Sequence, residues 1–582
     1  MSSDYSNFSV EIKEMSFTND YGVVFPKTAI LTFVNSETNK RSTEILGHYE
    51  AEDIYKLIEE KQVVKLDYCY INRFSLSEYR ITREMMKKDR VSIEGLTAKH
   101  AFFNCEGKIE FSFADFGAGD INFEHAVFAK GILSFNTVNF GDGHVFFNYS
   151  EFLDGNVDFA NTVFGSGEVN FKNAIFHKGN KDFQYADFGH GDVSFVNAEF
   201  GDGDVSFINT VFHEGDISFK VARFGDGKID FHYAKFANGD IVFERAEFGK
   251  GRVDFRTVEF NHSRVNFNRA VFGDGDVSFE GSELKGGKFL FKRALLGSGD
   301  LSFEQVEFGN AELHLDGTYF GQGNISFNHS SFKVLSLKSC HIDHYLDLRV
   351  AYCETLDLSD TITRDIVDMK PYDFDVNVKR FNIIGMRLLG RIYLEWEKNN
   401  VKDMIERKED VGLRAKAEEF RTLKQNFNVT GLYNDEDTAY VAFKRYEALA
   451  DLKEGIAKKK ISAVYQYPYY GFKWLVFDKI GLYATAPSRV LISVVFIWFA
   501  FALIYYSLAL LGWGETRSSV NNPDNLGPLL ISMYHSAVTF FTIGYGDVYP
   551  MKASRVFSAL EGFMGVFMMS YFTVAFVRKI LR

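Results

Sequence analysis

Six consecutive residues near the C-terminal end, Thr542-Ile543-Gly544-Tyr545-Gly546-Asp547, carry the most specific chemistry in this chain. A hydrated monovalent cation such as K⁺ gives up its water shell only to closely set oxygen ligands, and extended backbone supplies them as successive carbonyls. Carbonyls point the same way when alternate residues take left-handed angles, which Gly544 and Gly546 permit without steric cost. Thr542 adds a hydroxyl and Asp547 a carboxylate at the two ends of the run. One such loop makes a quarter of a ligand ring. A pore needs four, so a homotetramer is expected.

The flanking elements place this loop in a bilayer. Val490 to Leu511 is a run of 22 residues broken only by Ser493 and Ser507, long enough to span about 30 Å of hydrocarbon. Pro487-Ser488 starts it and Gly512-Trp513-Gly514 ends it. A second span is read at Phe557 to Val577, with Glu561 near its beginning. Between them Leu529 to Phe541 is an apolar helix too short to cross, reaching about 20 Å. Its C-terminal end aims a partial negative charge toward the cavity, which favours a cation. Lys473, Lys479 and Arg489 precede the first span and Arg578, Lys579 and Arg582 follow the second, so both ends are expected on the cytoplasmic side of a plasma (inner) membrane.

These residues resemble the potassium-channel signature, and the layout is similar to the simplest bacterial two-span potassium channels. The resemblance implies Thr542, Ile543, Gly544 and Tyr545 as K⁺ ligands, Gly546 completing the filter, and Asp547 at the outer mouth. The sequence departs from some of those channels at Val538, where they carry a Glu that pairs with the outer Asp. Gly562 and Gly565 in the second span read either as a gating hinge or as close helix packing through small residues. Glu561 is a functional candidate because it is ionisable within an apolar span, and a hydrogen-bonding place behind the filter is the favoured reading.

The larger part of the chain is a repeat. From Phe111 to Phe332 large apolar residues recur with alternating gaps of five and seven, with only Leu284, Leu296 and Leu315 replacing Phe. Such gaps never settle on one helical stripe, and units this short bury their apolar face only by stacking. A parallel β-solenoid follows. In the unit Val205 to Phe212, preceded by Gly201-Asp202-Gly203-Asp204, Val205 and Phe207 point to one side, and the Gly-x-Gly insert is expected to supply the positive φ of a corner. The stretch resembles the pentapeptide-repeat family, which implies a right-handed four-sided β-helix, here with two extra residues in every second unit. Two coil sizes fit: a square coil of two twelve-residue units, about 45 Å long in all, or a flat coil of one unit and twice that length.

The domain boundaries read from these signals are an α+β cap or module over residues 1–95, the solenoid over 96–370, a helical linker and membrane-surface segment over 371–485, and the pore domain over 486–582. In the linker, Leu413 to Asn428 and Asp435 to Lys453 carry apolar residues at helical spacing around Gly431, a helical hairpin. The second span and the linker, Phe420 through Tyr446, also look like bacterial channels fused to pentapeptide repeats.

Composition excludes several classes. A net charge of −13 argues against a nucleic-acid-binding body. Cys69, Cys105, Cys340 and Cys353 form no metal-spaced cluster and suit a reducing compartment. Met1 to Met15 shows no secretory signal. No nucleophile–base or paired-carboxylate constellation suggests an enzyme, and no spaced Arg series suggests a voltage sensor. The Gly-Asp corners differ from calcium-binding β-rolls in period, twelve against nine, and lose the acid at Gly249-Lys250-Gly251-Arg252. Neither a cofactor nor structural Ca²⁺ is expected. The function expected is a potassium-selective channel whose cytoplasmic solenoid regulates gating by binding a protein or small-molecule ligand. The alternatives are a membrane-anchored scaffold and a non-selective cation channel, which Tyr545 and Asp547 disfavour.

Overall fold

A computed structural model describes residues 7–35, 38–519 and 526–581. The chain divides into two compact units, Met1–Arg407 and Lys408–Arg582.

The first unit is a parallel β-solenoid. Successive ladder partners lie twenty-four residues apart, as in Val193↔Ile217 and Val205↔Ile229. Between them run two further columns, one through Glu199↔Arg223 and one through Val211↔Lys235. Each coil therefore has four sides. The square reading holds and the flat one does not. Fourteen strands line each of two faces, a stack about 60 Å long.

The Phe grid becomes four columns of rings. Phe195, Phe219 and Phe243 stack with centroids 4.9 and 4.8 Å apart and planes within 2°. Neighbouring columns meet edge to face, Phe207 against Phe219 at 5.7 Å and 82°. The stacking distance equals the strand spacing, so one backbone repeat sets both the ladder and the rings.

The corners follow the expectation in part: Gly201 and Gly203 have φ of 42° and 114°, whereas Gly225 and Gly227 do not take positive φ. Positive φ falls mainly on ordinary residues two places after the inward Phe, such as Tyr149, Asn161, Asn173 and Tyr185. The side chain at the second strand position supports this turn, as where Asp230 Oδ1 accepts the His232 amide at 2.9 Å. Most Gly-x-Gly corners need glycine for space. A Cβ at Gly225 would lie 2.1 Å from the Gly201 carbonyl oxygen, and at Gly227 it would lie 2.0 Å from that of Gly203. The corner acids bond coil to coil. Asp192, Asp204 and Asp216 each accept an amide hydrogen from the residue twenty-four positions on, at 2.8–2.9 Å.

The ladders run from Val64 to Tyr393, wider than the 96–370 read from Phe. The outer coils keep the geometry with Val, Leu and Ile, which the Phe grid could not register. After Phe332 the enlarged corner is lost: Ser331–Ser336 runs as one strand, and Ile325↔Leu346 closes a coil in twenty-one residues. Before the coils, the antiparallel strands Phe8–Lys13, Lys27–Val34 and Arg41–His48 continue into the parallel sheet through Gly47↔Cys69. Ala29, Leu31 and Phe33 cover Tyr70 and Phe102. The N-terminal segment is thus a cap on the solenoid end. Helices α1 (Ala51–Glu59) and α2 (Leu76–Thr82) belong to it, and α3 (Val401–Glu406) closes the unit. Neither α2 nor α3 was apparent from the sequence.

The second unit opens with the hairpin α4 (Leu413–Val429) and α5 (Tyr433–Lys458), turned at Gly431 with φ 76°. Then come α6 (Ala463–Lys473), a π-helical turn Trp474–Ile480, and three long or half-length helices, α7 (Pro487–Leu510), α8 (Pro528–Phe540) and α9 (Ser554–Ile580).

Candidate functional site: a loop between two apolar helices

Helices α7 and α9 are each long and apolar enough to cross a membrane. Their outer faces carry Phe496 and Phe563, both 75% exposed, as a lipid or subunit contact requires. Proline occupies the first turn of both α7 and α8, where its missing amide costs nothing. Gly512, with φ 72°, ends α7. The last turn of α8 closes when the Ile543 amide donates to the Val538 carbonyl at 2.9 Å. The loop therefore starts directly from the helix end.

Within the loop, Thr542, Gly544 and Gly546 have φ of 56°, 66° and 74°. The alternation expected of Gly544 and Gly546 extends one step further, onto a threonine. Nothing lies within 4 Å of a Cβ built at either glycine, so backbone angle accounts for them in this chain. Ile543 and Tyr545 are exposed.

Asp547 is fixed by a partner that the sequence did not reveal. Its Oδ2 accepts the Tyr534 hydroxyl hydrogen at 2.7 Å, and its Oδ1 accepts the Val548 amide at 3.0 Å. Ser519 donates its amide and hydroxyl to the Asp547 carbonyl at 2.7 and 3.0 Å. Val538 is buried and leaves the bracing of Asp547 to Tyr534, one helical turn earlier. An antiparallel pair, Gly514–Ser518 with Val548–Lys552, joins the end of α7 to the start of α9 beside the loop.

Glu561 is fully buried on α9. Its Oε2 accepts the Tyr505 hydroxyl hydrogen from α7 at 2.6 Å, and its Oε1 meets the Ser536 hydroxyl of α8. Ser536 also lies 2.9 Å from the Trp498 carbonyl oxygen. One carboxyl thus ties all three helices behind the loop. Gly565 packs against the end of α8, where a Cβ would sit 1.9 Å from the Phe540 carbonyl oxygen, whereas Gly562 has nothing within 4 Å. Helix α9 runs unbroken through both. Arg582 lies outside the described residues.

The family model described as "Ion channel" matches residues 493–582. Neither a curated protein nor a solved structure matches the chain. The matched residues include α8, the loop and α9 and begin within α7, the elements that hold the six-residue run. At its C-terminal end, after a β-solenoid of fourteen-strand faces, the chain carries a domain of the two-span ion-channel family.

Proposed function

We propose that the protein is a homotetrameric, potassium-selective channel of the plasma membrane, with the solenoid and the C-terminus on the cytoplasmic side. The observation that carries this reading is the run Thr542 to Asp547. Left-handed angles at alternate positions follow a half-length helix, between two spans. Four such loops around an axis would offer stacked oxygen rings, with Thr542, Ile543, Gly544 and Tyr545 as the K⁺ ligands. The exposure of Ile543 and Tyr545 in one chain fits a loop that needs partner copies. Lys473, Lys479 and Arg489 on one flank and Arg578 and Lys579 on the other support the orientation.

The solenoid is proposed to bias the pore by binding a ligand or partner. Support for regulation comes from the covalent connection of the solenoid to the pore through α4 and α5. No enzymatic step is needed for this function.

The test is ion flux from liposomes holding the purified full-length protein. K⁺ release without Na⁺ release, abolished by Gly544→Asp, supports the reading. Equal release of both ions would make the pore non-selective, and a Gly544→Asp variant that keeps full cellular function would favour a scaffold.

A further inference from the structure

Between the π-helical turn Trp474–Ile480 and Pro487, three consecutive non-glycine residues take left-handed angles: Leu482 at 46°, Tyr483 at 52° and Ala484 at 62°. Side-chain-bearing residues adopt this conformation singly and rarely in succession. Such a run persists only where its surroundings hold it.

Helix α9, which in the channel reading is the inner, gate-forming helix with α7 as the outer one, does the holding. The Ala484 amide donates to the Tyr571 hydroxyl oxygen at 3.1 Å, and the Tyr571 hydroxyl reaches the Phe477 carbonyl oxygen at 3.4 Å. Gly481 abuts the Tyr571 ring, where an added Cβ would come 2.0 Å from Cε1. Arg578 Nη1 donates to the Tyr483 carbonyl at 3.3 Å.

The same Arg578 reaches the hairpin. Its Nη2 meets Asp437 Oδ1 of α5 at 3.2 Å, and its guanidinium lies 4.3 Å from the centre of the Tyr440 ring. Lys579 Nζ takes the other oxygen of Asp437 at 3.0 Å. Asp437 is buried beneath them. Farther along α5, Arg445 pairs with the buried Asp478 of the π-helical turn at 2.8 Å. The hairpin therefore grips the π-helical turn that leads into the left-handed elbow and the end of the inner helix, and Arg578 carries the grip to the elbow itself.

We infer that Arg578 is a positioning residue that links the α4–α5 hairpin, the elbow at the foot of the outer helix and the last turn of the inner helix, so that hairpin movement sets the inner helix. This rests on the channel reading, because only a pore gives that movement an output. An inner helix whose end swings outward must release Asp437 and Tyr483 or carry them along. Either way the hairpin and the gate share one equilibrium.

Two measurements on the full-length protein decide it. In bilayers under K⁺, Asp437→Asn and Arg578→Gln are each expected to shift the ratio of open to closed time by about fivefold or more. The double variant should shift it no further than either one, while unitary conductance and reversal potential stay unchanged. Additive shifts, or no shift, would overturn the inference. In lipid nanodiscs, amide exchange at residues 482–485 is expected to quicken by about fivefold or more in Arg578→Gln. Unchanged exchange would overturn the inference even if the wild-type protein passes no current, an outcome that by itself counts against the channel reading.

Discussion

Tyr505 of α7 and Glu561 of α9 share a hydrogen bond of 2.6 Å inside the helix bundle, fifty-six residues apart in sequence. With Ser536 on the other carboxyl oxygen, Glu561 gives two buried hydroxyls a common partner. Replacing Glu561 with Leu takes the acceptor from the buried Tyr505 hydroxyl and leaves Ser536 only the Trp498 carbonyl, so thermal unfolding of the detergent-solubilised protein should report a loss of about 2–4 kcal/mol. Tyr505→Phe removes one bond and should cost about 1 kcal/mol. Equal losses for the two variants would show that Glu561 does not brace both partners.

Tyr534 is expected to steady the outer end of the loop through its 2.7 Å bond to Asp547. Tyr534→Phe keeps the ring and deletes the bond. Single-channel records should show conducting bursts shortened by about three- to tenfold with unchanged ion selectivity, the effect of one hydrogen bond lost at a half-buried site. Bursts of wild-type length would remove Tyr534 from the account.

How much of this could be read from the sequence depends on the range of the interaction. The six-residue loop, both spans and the hairpin were legible because their signals are local: composition, run length and spacing around Gly431. The solenoid was legible because its period repeats many times. The choice between square and flat coils was not, since a gap pattern of five and seven suits either closure until the twenty-four-residue register is seen. Positive φ accounts for corner glycines such as Gly201 and Gly203, as expected, but the close approach that most of them also serve is a tertiary fact with no local signal. Tyr534 and Tyr505 gave no signal at all. Their hydroxyls matter only once helix packing brings Asp547 and Glu561 within reach.

Two solenoid glycines, Gly227 at a corner and Gly309 within the strand Glu307–His314, make a sharp contrast within one fold. A methyl group at Gly227 collides with the Gly203 carbonyl at 2.0 Å, whereas Gly309 has nothing within 4 Å. Gly227→Ala should lower solenoid stability by about 1–3 kcal/mol. Gly309→Ala should be neutral or stabilising by up to about 1 kcal/mol. Paired thermal melts check this, and equal melting points would refute the close-approach explanation.

Lys181 takes the place of a ladder valine, 1% exposed, between Val157 and Val205. Its ammonium donates to the carbonyls of His177, Phe200 and Asp202 at 2.8, 2.5 and 3.1 Å. Burial pushes its pKa down from 10.5 to about 8. Between these values the unfolded chain binds the proton that the folded chain has released, so stability rises with pH across that window and is lower beneath it. The carbonyls favour the charged form and moderate the gain, to about 1–3 kcal/mol. Melting points of wild-type protein and Lys181→Met from pH 7.5 to 10.5 should converge or cross as the wild type gains. Parallel curves would mean that the Lys181 proton is not linked to folding.

We propose that the loop from Thr542 to Asp547 selects potassium. Its most direct test is the reversal potential of the purified full-length protein in planar bilayers with K⁺ on one side and Na⁺ on the other. Reversal near the potassium equilibrium potential is expected, with a collapse of that selectivity or of all current in Gly544→Ala, where the added Cβ opposes the left-handed backbone. Open currents that reverse near zero would contradict it.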